Sequence, residues 1–340
     1  MLKKVFFAAA VIFLFSVRME AKAGIIVERE GDYYQDDEIA GHVHKPYAER
    51  VYDWPESKTG KVTLKTNNLG FREDRDTVTG KEKGAVRVLV AGDSQVDGVV
   101  ENNASFPHLL EKALNAESQG IRFEFLNGGT GYYGPDHYLL FLQKYLFLKP
   151  DIYIVVIYTG NDFLDAARVV EAQGTTLQRP PEYFKSLRDC GPAGGAVDQA
   201  MNQAYYFKTF PAMKEATLRH TLEVIRRIEK LCKQQSIELL IVLLPTKADV
   251  EWASDAESLD RVSGCLALDE QGLGVNRAMA QTLAAELAKR SIRFFDAYGP
   301  LRNAAHELYW KKDYHLNDEG HKLLAQKLQS AVDFSDLSQR

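Results

Sequence analysis

Ser94 stands in the sequence Gly-Asp-Ser, directly after a short apolar run that is typical of a buried strand. Near the other end of the chain, Asp313 and His315 lie two residues apart, just before a predicted helix. A serine hydroxyl becomes an effective nucleophile when an imidazole accepts its proton, and a carboxylate can orient that imidazole. The three residue types therefore predict nucleophilic chemistry, provided that the fold brings their side chains together.

Two other stretches offer neutral hydrogen-bond donors. Residues 127–130 read Asn-Gly-Gly-Thr and residues 159–162 read Thr-Gly-Asn-Asp, and each stretch follows an apolar run. A glycine lets a ligand approach its backbone N–H, and an asparagine amide can point its N–H groups at a developing oxyanion. Nucleophile, base, orienting acid and oxyanion donors are thus all present. The alternative for Ser94 is a helix N-cap, a role that serine often takes after a strand.

The elements that must position these residues are strands and helices that alternate from residue 87 onward. Apolar runs predict strands at residues 87–92, 123–128, 152–160, 239–244 and 292–297. Helical patterns lie at residues 105–117, 136–148, 216–234, 275–290 and 318–332. This alternation predicts a three-layer α/β/α fold with a doubly wound, mostly parallel five-stranded sheet. Because ligands bind at the carboxyl ends of such strands, the candidate stretches should meet there.

Two long connections leave the same edge of the predicted sheet, at about residues 163–215 and 245–273. Long insertions at that edge usually form the walls of a functional site. Cys190 lies in the first connection and Cys265 in the second, and a disulfide between them would tie the two walls together in an oxidising compartment. The sequence leaves open whether these cysteines are bridged, because the separation of their Cα atoms decides it.

Residues 1–23 have the pattern of a cleaved secretory signal peptide. Two lysines precede an apolar run that is well short of the ~20 residues of a membrane span, and small residues follow it. We therefore expect an exported protein, periplasmic or extracellular, with no stable membrane span. Cleavage would remove four basic residues and one acidic residue, leaving a net charge of about −8. That charge does not favour nucleic acid or an anionic membrane as a partner.

Residues 24–86 are predicted to form an arm that packs on the main domain, residues 87–340. The arm is rich in tyrosine, histidine and acidic residues and has few apolar periods. His42 and His44 alternate along a predicted strand, but no third ligand lies at a suitable spacing for a metal ion. The sequence also lacks a P-loop and a zinc-binding pattern. We therefore expect a site without metal or cofactor.

The order of these motifs resembles that of the SGNH/GDSL hydrolase family, and in particular its exported bacterial members. The resemblance rests on Gly-Asp-Ser at 92–94, the glycines that follow residue 127, Gly-Asn-Asp at 160–162, and the acid and histidine near the end. It covers about residues 87–332. The stretch Thr-Asn-Asn-Leu-Gly-Phe-Arg at 66–72 is similar to one that such members often carry.

The resemblance implies that Ser94 is the nucleophile and that His315 is the general base. It also implies an oxyanion hole made of the Ser94 N–H, the Gly129 N–H and the Asn161 side-chain amide. Because several glycines stand together, Gly128 is the alternative to Gly129. Position near the motifs adds four residues as possible pocket residues, namely Asp93, Tyr133, His137 and Trp310.

The orienting acid departs from the most common family pattern. Most members place it three residues before the histidine, where this chain has Lys312. Asp313, two residues before His315, matches the spacing in a subset of members and is our choice. The alternative is a serine–histidine dyad in which a backbone carbonyl orients the imidazole.

Together these observations predict an exported serine esterase that removes O-acetyl or other short acyl groups from carbohydrate through an acyl-enzyme. Two alternatives are an O-acyltransferase that acts on envelope polysaccharide and a non-catalytic carbohydrate-binding protein on the same fold. Aromatic side chains near the motifs could stack on sugars or fill the core; they are Tyr132, Tyr133, Trp252, Tyr309 and Trp310.

Overall fold

A computed structural model gives the fold of the chain. It describes residues 33–118, 120–174, 177–191, 197–251, 256–334 and 336. The predicted signal peptide, residues 1–23, and the first part of the predicted arm lie outside the described residues. Within the described part of the chain, no helix is both long enough and apolar enough to span a lipid bilayer.

The chain from residue 33 to residue 84 contributes two small antiparallel sheets. Strand β1 (Tyr34–Asp37) pairs with β2 (Gly41–His44), and β3 (Glu49–Asp53) pairs with β4 (Lys61–Lys65). Side chains of these hairpins share one buried cluster with later parts of the chain, made of Tyr33, Trp54, Val62, Leu64, Val99, Val100 and Trp310. This segment is therefore packed on the rest of the protein and does not extend away from it.

Five strands form the central sheet. In chain order they are β5 (Ala85–Ala91), β6 (Arg122–Asn127), β7 (Ile152–Tyr158), β8 (Glu238–Leu244) and β9 (Phe294–Asp296). Their order across the sheet is β6-β5-β7-β8-β9, and every neighbouring pair is parallel. The strand order reverses between β5 and β7, which is the switch point where doubly wound sheets bind ligands. The prediction of a doubly wound, five-stranded sheet is confirmed.

Helices cover both faces of this sheet, since successive strand residues point to opposite faces and both sets are apolar. In chain order they are α1 (Ser94–Asp97), α2 (Phe106–Glu117), α3 (Pro135–Tyr145), α4 (Asp162–Ala172), α5 (Pro181–Cys190), α6 (Gln199–Thr209), α7 (Met213–Gln234), α8 (Lys247–Glu251), α9 (Ala256–Cys265), α10 (Glu270–Leu273), α11 (Val275–Lys289), α12 (Tyr298–Arg302) and α13 (Asp318–Ala331). One face of the sheet packs on α3, α4, α7 and α11, and the other packs on α2 and α13. The fold has the three α/β/α layers that the alternation predicts.

The two long connections differ from the prediction, because they are largely helical. The first contains α4, α5 and α6, and the second contains α8, α9 and α10. Proline and glycine residues at 180–181 and 191–195 interrupt the first connection and predict a loop, which conceals its helices. Cys190 ends α5, Cys265 ends α9, and a disulfide joins them with their Cα atoms 5.6 Å apart. The disulfide therefore links the two insertions covalently.

A buried ion pair joins the arm to the short helix α1. The Arg72 side chain is fully buried, and its Nη1 lies 3.2 Å from Oδ1 of Asp97, the last residue of α1. Its other nitrogens donate to the carbonyl of Val100 at 2.8 Å and to Oδ1 of Asn102 at 2.9 Å. Asp97 also accepts a hydrogen bond from Tyr34 of β1, at 3.3 Å. The arm thus holds the far end of the helix that Ser94 begins.

Replacing Arg72 by methionine should destabilise the protein by about 3–5 kcal/mol, because it removes the permanently charged partner of the buried Asp97 carboxylate and leaves the weaker contacts of Tyr34 and His44. The free energy of unfolding in urea measures this loss. Arg122→Met is the matched control, since Arg122 forms an exposed ion pair with Glu82 and its loss should cost less than about 1 kcal/mol. Equal stabilities of the two variants would contradict this account of the Arg72 ion pair.

Candidate active site

Ser94 lies at the carboxyl end of β5, as the first residue of helix α1. The N-cap of that helix is Asp93, whose side chain accepts a hydrogen bond from the Gln95 N–H at 2.9 Å. Ser94 itself therefore does not cap the helix, and its hydroxyl is available for another partner. Asp93 is completely buried, and this burial raises the pKa of its carboxyl group to about 6. Asp93 supports the turn from beneath and does not form an exposed pocket wall.

The imidazole of His315 connects Ser94 with Asp313. His315 Nε2 lies 2.9 Å from Ser94 Oγ, and His315 Nδ1 lies 2.5 Å from Asp313 Oδ1. With the ring proton on Nδ1, the imidazole donates to the carboxylate and accepts from the serine hydroxyl. The structure thus brings together three of the residues predicted for nucleophilic chemistry, two of which are 221 residues apart in the chain.

The two-residue spacing of the acid and the histidine has a local cause. Oδ1 of Asp313 accepts the backbone N–H of His315 at 2.7 Å, in addition to the ring N–H. An aspartate whose side chain accepts the backbone N–H two residues later forms a tight turn. An acid placed three residues before the histidine would not form this turn. One carboxylate oxygen therefore fixes both the backbone and the ring of His315.

The electrostatic environment favours the charged pair that proton transfer produces. Burial alone would lower the pKa of His315, but the charge and the hydrogen bond of Asp313 outweigh burial and raise it. Burial alone would raise the pKa of Asp313, and the charge of His315 outweighs this effect and lowers it. Asp313 should therefore stay ionised while His315 gains and loses a proton.

Two predicted oxyanion donors stand at this edge of the sheet. The Ser94 N–H has no hydrogen-bond acceptor among the residues that the structure describes. Asn161 follows β7 and occupies the N-cap position of α4, yet its side chain makes no capping bond. Its amide lies beside the carboxyl group of Asp93, the residue before Ser94. Both groups lie at the sheet edge that carries Ser94, and their role as donors to an oxyanion stays a prediction.

The resemblance implies that the Gly129 N–H is an oxyanion donor, but in the structure this N–H has another acceptor. Its N–H already donates to Oδ1 of Asn127 at 3.0 Å. A Cβ atom at this position would lie 2.2 Å from the backbone nitrogen of Asp97, so the glycine is needed for close packing on α1. The alternative, Gly128, donates its N–H to the carbonyl of Val90 at 2.9 Å. Gly131 on the same loop has an N–H with no acceptor in the described chain.

The structure does not place the aromatic pocket candidates at the surface of a pocket. Tyr133 is completely buried, and Trp310 is buried with its indole N–H donating to the carbonyl of Val99 at 3.2 Å. The His137 ring is stacked on Tyr133, and its Nδ1 accepts the N–H of Gly134 at 3.2 Å. These side chains stabilise the packing between the arm and the sheet edge, a use that their position in the sequence does not reveal.

The two histidines of the arm also have structural partners. Nε2 of His42 lies 2.8 Å from the carbonyl oxygen of Gly131, and Nε2 of His44 lies 3.4 Å from Oδ2 of Asp97. Each imidazole therefore connects β2 with the neighbourhood of Ser94. These contacts give both histidines a structural role at their positions.

Gln95 is a residue of the site that the sequence analysis missed. Its side-chain Nε2 donates to the carbonyl of Tyr314 at 2.9 Å, and its Oε1 accepts the N–H of Leu316 at 3.2 Å. These two backbone groups flank His315, and Gln95 itself is buried. The amide next to the nucleophile thus holds the loop of the base from both sides. No spacing signal in the sequence points to this contact, because Gln95 bonds backbone atoms that any residue would supply.

The catalytic loop, defined as residues 309–316, has two further attachments. Nζ of Lys247, the first residue of α8, donates to the carbonyls of Trp310 and Lys311 at 2.9 and 2.8 Å. The Glu56 carboxylate accepts the N–H groups of Lys311 and Lys312 at 2.7 and 3.1 Å. The loop is therefore anchored to the end of β8, to the arm and to the nucleophile turn.

Comparison with known proteins agrees with this architecture. A family model described as an SGNH hydrolase-like domain, acetyltransferase AlgX, matches residues 205–339, which include Asp313 and His315. The match covers 135 of the 340 residues, so the C-terminal part of the chain is similar to this family. No curated protein matches this sequence closely enough to be called a relative.

Several solved structures match the chain at low sequence identity and with TM-scores below 0.5. An acetyl xylan esterase, AlAXEase, is 15% identical with a TM-score of 0.44, over 73% of this chain and 100% of that one. A member of the lipolytic G-D-S-L family from Veillonella parvula is 14% identical with a TM-score of 0.41, over 72% and 97%. A lipase/acylhydrolase from Enterococcus faecalis is 13% identical with a TM-score of 0.40, over 73% and 97%.

The reactivity of Ser94 should depend on the protonation state of His315. Because the pKa of His315 is raised above 6.5, the rate of Ser94 labelling by a fluorophosphonate should fall as the pH drops through a value above 6.5. Asp313→Asn should slow labelling about 10³-fold or more and shift this fall to lower pH. Glu307→Gln, at an exposed acid near the loop, should leave the profile unchanged. An unshifted profile in Asp313→Asn would argue for the dyad instead.

Removing the Gln95 contacts should misplace His315 without changing its charge partner. Gln95→Met keeps the side-chain volume but loses both hydrogen bonds, and labelling of Ser94 should slow about 100-fold. The pH at which labelling falls should stay where it is, because Asp313 still holds the imidazole. Gln95→Glu retains an acceptor for Leu316 and should give an intermediate rate. Wild-type labelling by Gln95→Met would exclude the positioning role.

Proposed function

We propose that this protein is an exported serine esterase that removes acetyl or other short acyl groups from carbohydrate. The observation that carries the proposal is the hydrogen-bonded series from Ser94 through His315 to Asp313, at 2.9 and 2.5 Å. Neutral serine is a poor nucleophile, and this arrangement supplies both the base and the group that stabilises the protonated base.

The reaction would proceed in two halves. Ser94 Oγ attacks the acyl carbon while its proton moves to His315 Nε2, and the carbonyl oxygen becomes an oxyanion. The Ser94 N–H and the Asn161 amide would donate to this oxyanion. Collapse of the intermediate breaks the ester bond, and the sugar oxygen leaves with the proton from His315. Water then attacks the acyl group on Ser94, His315 accepts its proton, and the carboxylic acid is released as Ser94 regains its hydrogen.

Support for export and for a carbohydrate substrate comes from different observations. Residues 1–23 have the composition of a cleaved signal peptide, and the disulfide between Cys190 and Cys265 suits an oxidising compartment. The resemblance to exported SGNH/GDSL members implies a carbohydrate ester, and the matching family model is described as an acetyltransferase. The substrate class is therefore an O-acylated glycan, with an acetyl group as the first choice.

An O-acyltransferase is the second candidate function, and the description of that family model as an acetyltransferase favours it. Both reactions share the acyl group on Ser94 and the base His315. They differ in the acceptor, because a sugar hydroxyl replaces water in the second half. A carbohydrate-binding protein without catalysis is the third candidate, and it would leave Ser94 unreactive.

Turnover of an acetyl ester tests the nucleophile and an oxyanion donor together. Ser94→Ala should abolish release of acetate and covalent labelling by a fluorophosphonate. Asn161→Ala should lower kcat by about 10²–10³-fold, since loss of one oxyanion donor raises the barrier by ~3 kcal/mol. Thr209→Ala, a helix substitution on α6, serves as the control with normal turnover. Full activity of Ser94→Ala would refute the proposal.

Product analysis decides between hydrolysis and transfer. The wild-type protein is given an acetyl donor with and without an added oligosaccharide acceptor, and free acetate and acetylated sugar are both quantified. An esterase should release acetate at a rate that the acceptor does not change. A transferase should form acetylated sugar at the expense of acetate. If the wild-type protein neither reacts with a fluorophosphonate nor consumes the acetyl donor, the non-catalytic carbohydrate-binding protein is the remaining candidate.

A further inference from the structure

The loop that follows β6 is fixed against the turn that carries Ser94. The N–H of Thr130 donates to the carbonyl of Gly92 at 3.1 Å, two residues before the serine. Gly129 packs directly on the backbone of α1, where a side chain would collide with Asp97. The residues at the end of this loop therefore stand beside the nucleophile in a defined position.

Tyr132 at the end of this loop has an unusual conformation and an unusual exposure. Its φ angle is +68°, in the left-handed region that bulky residues rarely adopt, and 73% of its surface is exposed. The next residue, Tyr133, is completely buried. Strained backbone of this kind persists where the surroundings impose it, and it concentrates at functional sites. The conformation turns one tyrosine of the pair inward and leaves the other in solvent.

Two more tyrosines come close to Tyr132 from other parts of the chain. Tyr52 belongs to β3 of the arm, and Tyr314 belongs to the catalytic loop, with its ring centroid 4.6 Å from that of His315. Burial raises the pKa of Tyr52 to about 12, and Tyr132 is close enough to add to this shift. Tyr132 also adds to the raised pKa of Tyr314, which burial dominates. Tyr314 thus lies against the imidazole of the site, and Tyr132 is within electrostatic range of both Tyr52 and Tyr314.

The structure separates Tyr132 from the other aromatic residues near the motifs. Tyr133, Tyr309 and Trp310 have 0%, 1% and 6% of their surfaces exposed, so their rings are part of the interior. Trp252 lies outside the described residues. Among the described members of this group, Tyr132 alone presents its ring to solvent.

We propose that Tyr132 is the stacking platform of a sugar-binding subsite next to Ser94, with Tyr52 and Tyr314 at its sides. The C–H groups of a pyranose face are weakly positive, and they pack favourably on the negative face of an aromatic ring. The subsite therefore takes a neutral pyranose ring of the acylated glycan. This inference rests on the proposed function and adds how the carbohydrate part of the substrate is held.

Comparing a sugar ester with a small ester tests the subsite in the full-length mature protein. The sugar substrates are O-acetylated oligosaccharides of glucose, mannose and xylose, and the small ester is 4-nitrophenyl acetate. Tyr132→Ala should raise KM for the best sugar ester about tenfold and leave kcat/KM for 4-nitrophenyl acetate within about twofold. Tyr132→Phe and Tyr132→Trp keep an aromatic face and should retain a KM close to that of wild type.

Tyr47 provides a closely matched control. It is also an exposed tyrosine, at 69%, with a left-handed φ of +54°, but its hydroxyl donates to Asp76 within the arm. Tyr47→Ala should leave both substrates unaffected. Equal losses for sugar and small ester in Tyr132→Ala would show a structural role and overturn the subsite. An unchanged KM for all sugar esters would overturn it as well.

Binding without turnover separates this inference from the proposed function. In a Ser94→Ala background, calorimetric titration with the same acetylated oligosaccharides should show binding that Tyr132→Ala weakens about tenfold. Equal affinity of the two proteins, or no binding of any of these sugars, would overturn the subsite. A separate measurement tests the proposed function: it fails if a fluorophosphonate does not label the wild-type protein.

Discussion

The hydrogen bond between Ser94 and His315 is the constraint on which the site depends. It is 2.9 Å long and joins residues 221 positions apart, so neither side chain can fix the distance by itself. A catalytic contact tolerates errors of only about 0.5 Å, which is less than the usual freedom of a loop. The parallel sheet brings β5 and the catalytic loop to the same edge, but it does not fix the distance between Ser94 and His315. Local contacts must set that distance.

Those contacts come from three directions and use backbone atoms as their targets. Gln95 bonds the carbonyl and N–H groups on either side of His315, Lys247 bonds two carbonyls of the loop, and Glu56 of the arm bonds two of its N–H groups. On the other side, Arg72 holds the end of α1 through a buried ion pair. The arm is therefore a structural part of the site, because it supports both the nucleophile helix and the loop of the base.

The sequence predicts the sheet, its parallel strands and the candidate residues, because each of these has a local signal in periodicity or residue type. The observed strand ends differ from the predicted ones by a few residues. The strand expected at 152–160, for example, ends at Tyr158. The helices of the first insertion were missed because the proline and glycine residues among them predict a loop. Gln95 and Lys247 bond backbone atoms that are distant in sequence, so no spacing reveals them. Arg72 ends the stretch at 66–72 that the family resemblance singles out, but its ion pair with Asp97 has no sequence signal. Tyr133 and Trp310 were proposed for a pocket because an aromatic residue has the same sequence signal in a core as in a binding site.

The distinction between hydrolysis and transfer follows from the same geometry. Both candidate reactions would use one acyl-enzyme, and His315 would serve as the base for either water or a sugar hydroxyl. The fate of the acyl group therefore depends on which acceptor is held near Ser94 for longer, and not on the catalytic residues. Water needs no binding surface, whereas a sugar needs one that orients its hydroxyl. An exposed aromatic ring beside the nucleophile supplies such a surface in either case, since it can hold the donor glycan of an esterase or the acceptor glycan of a transferase.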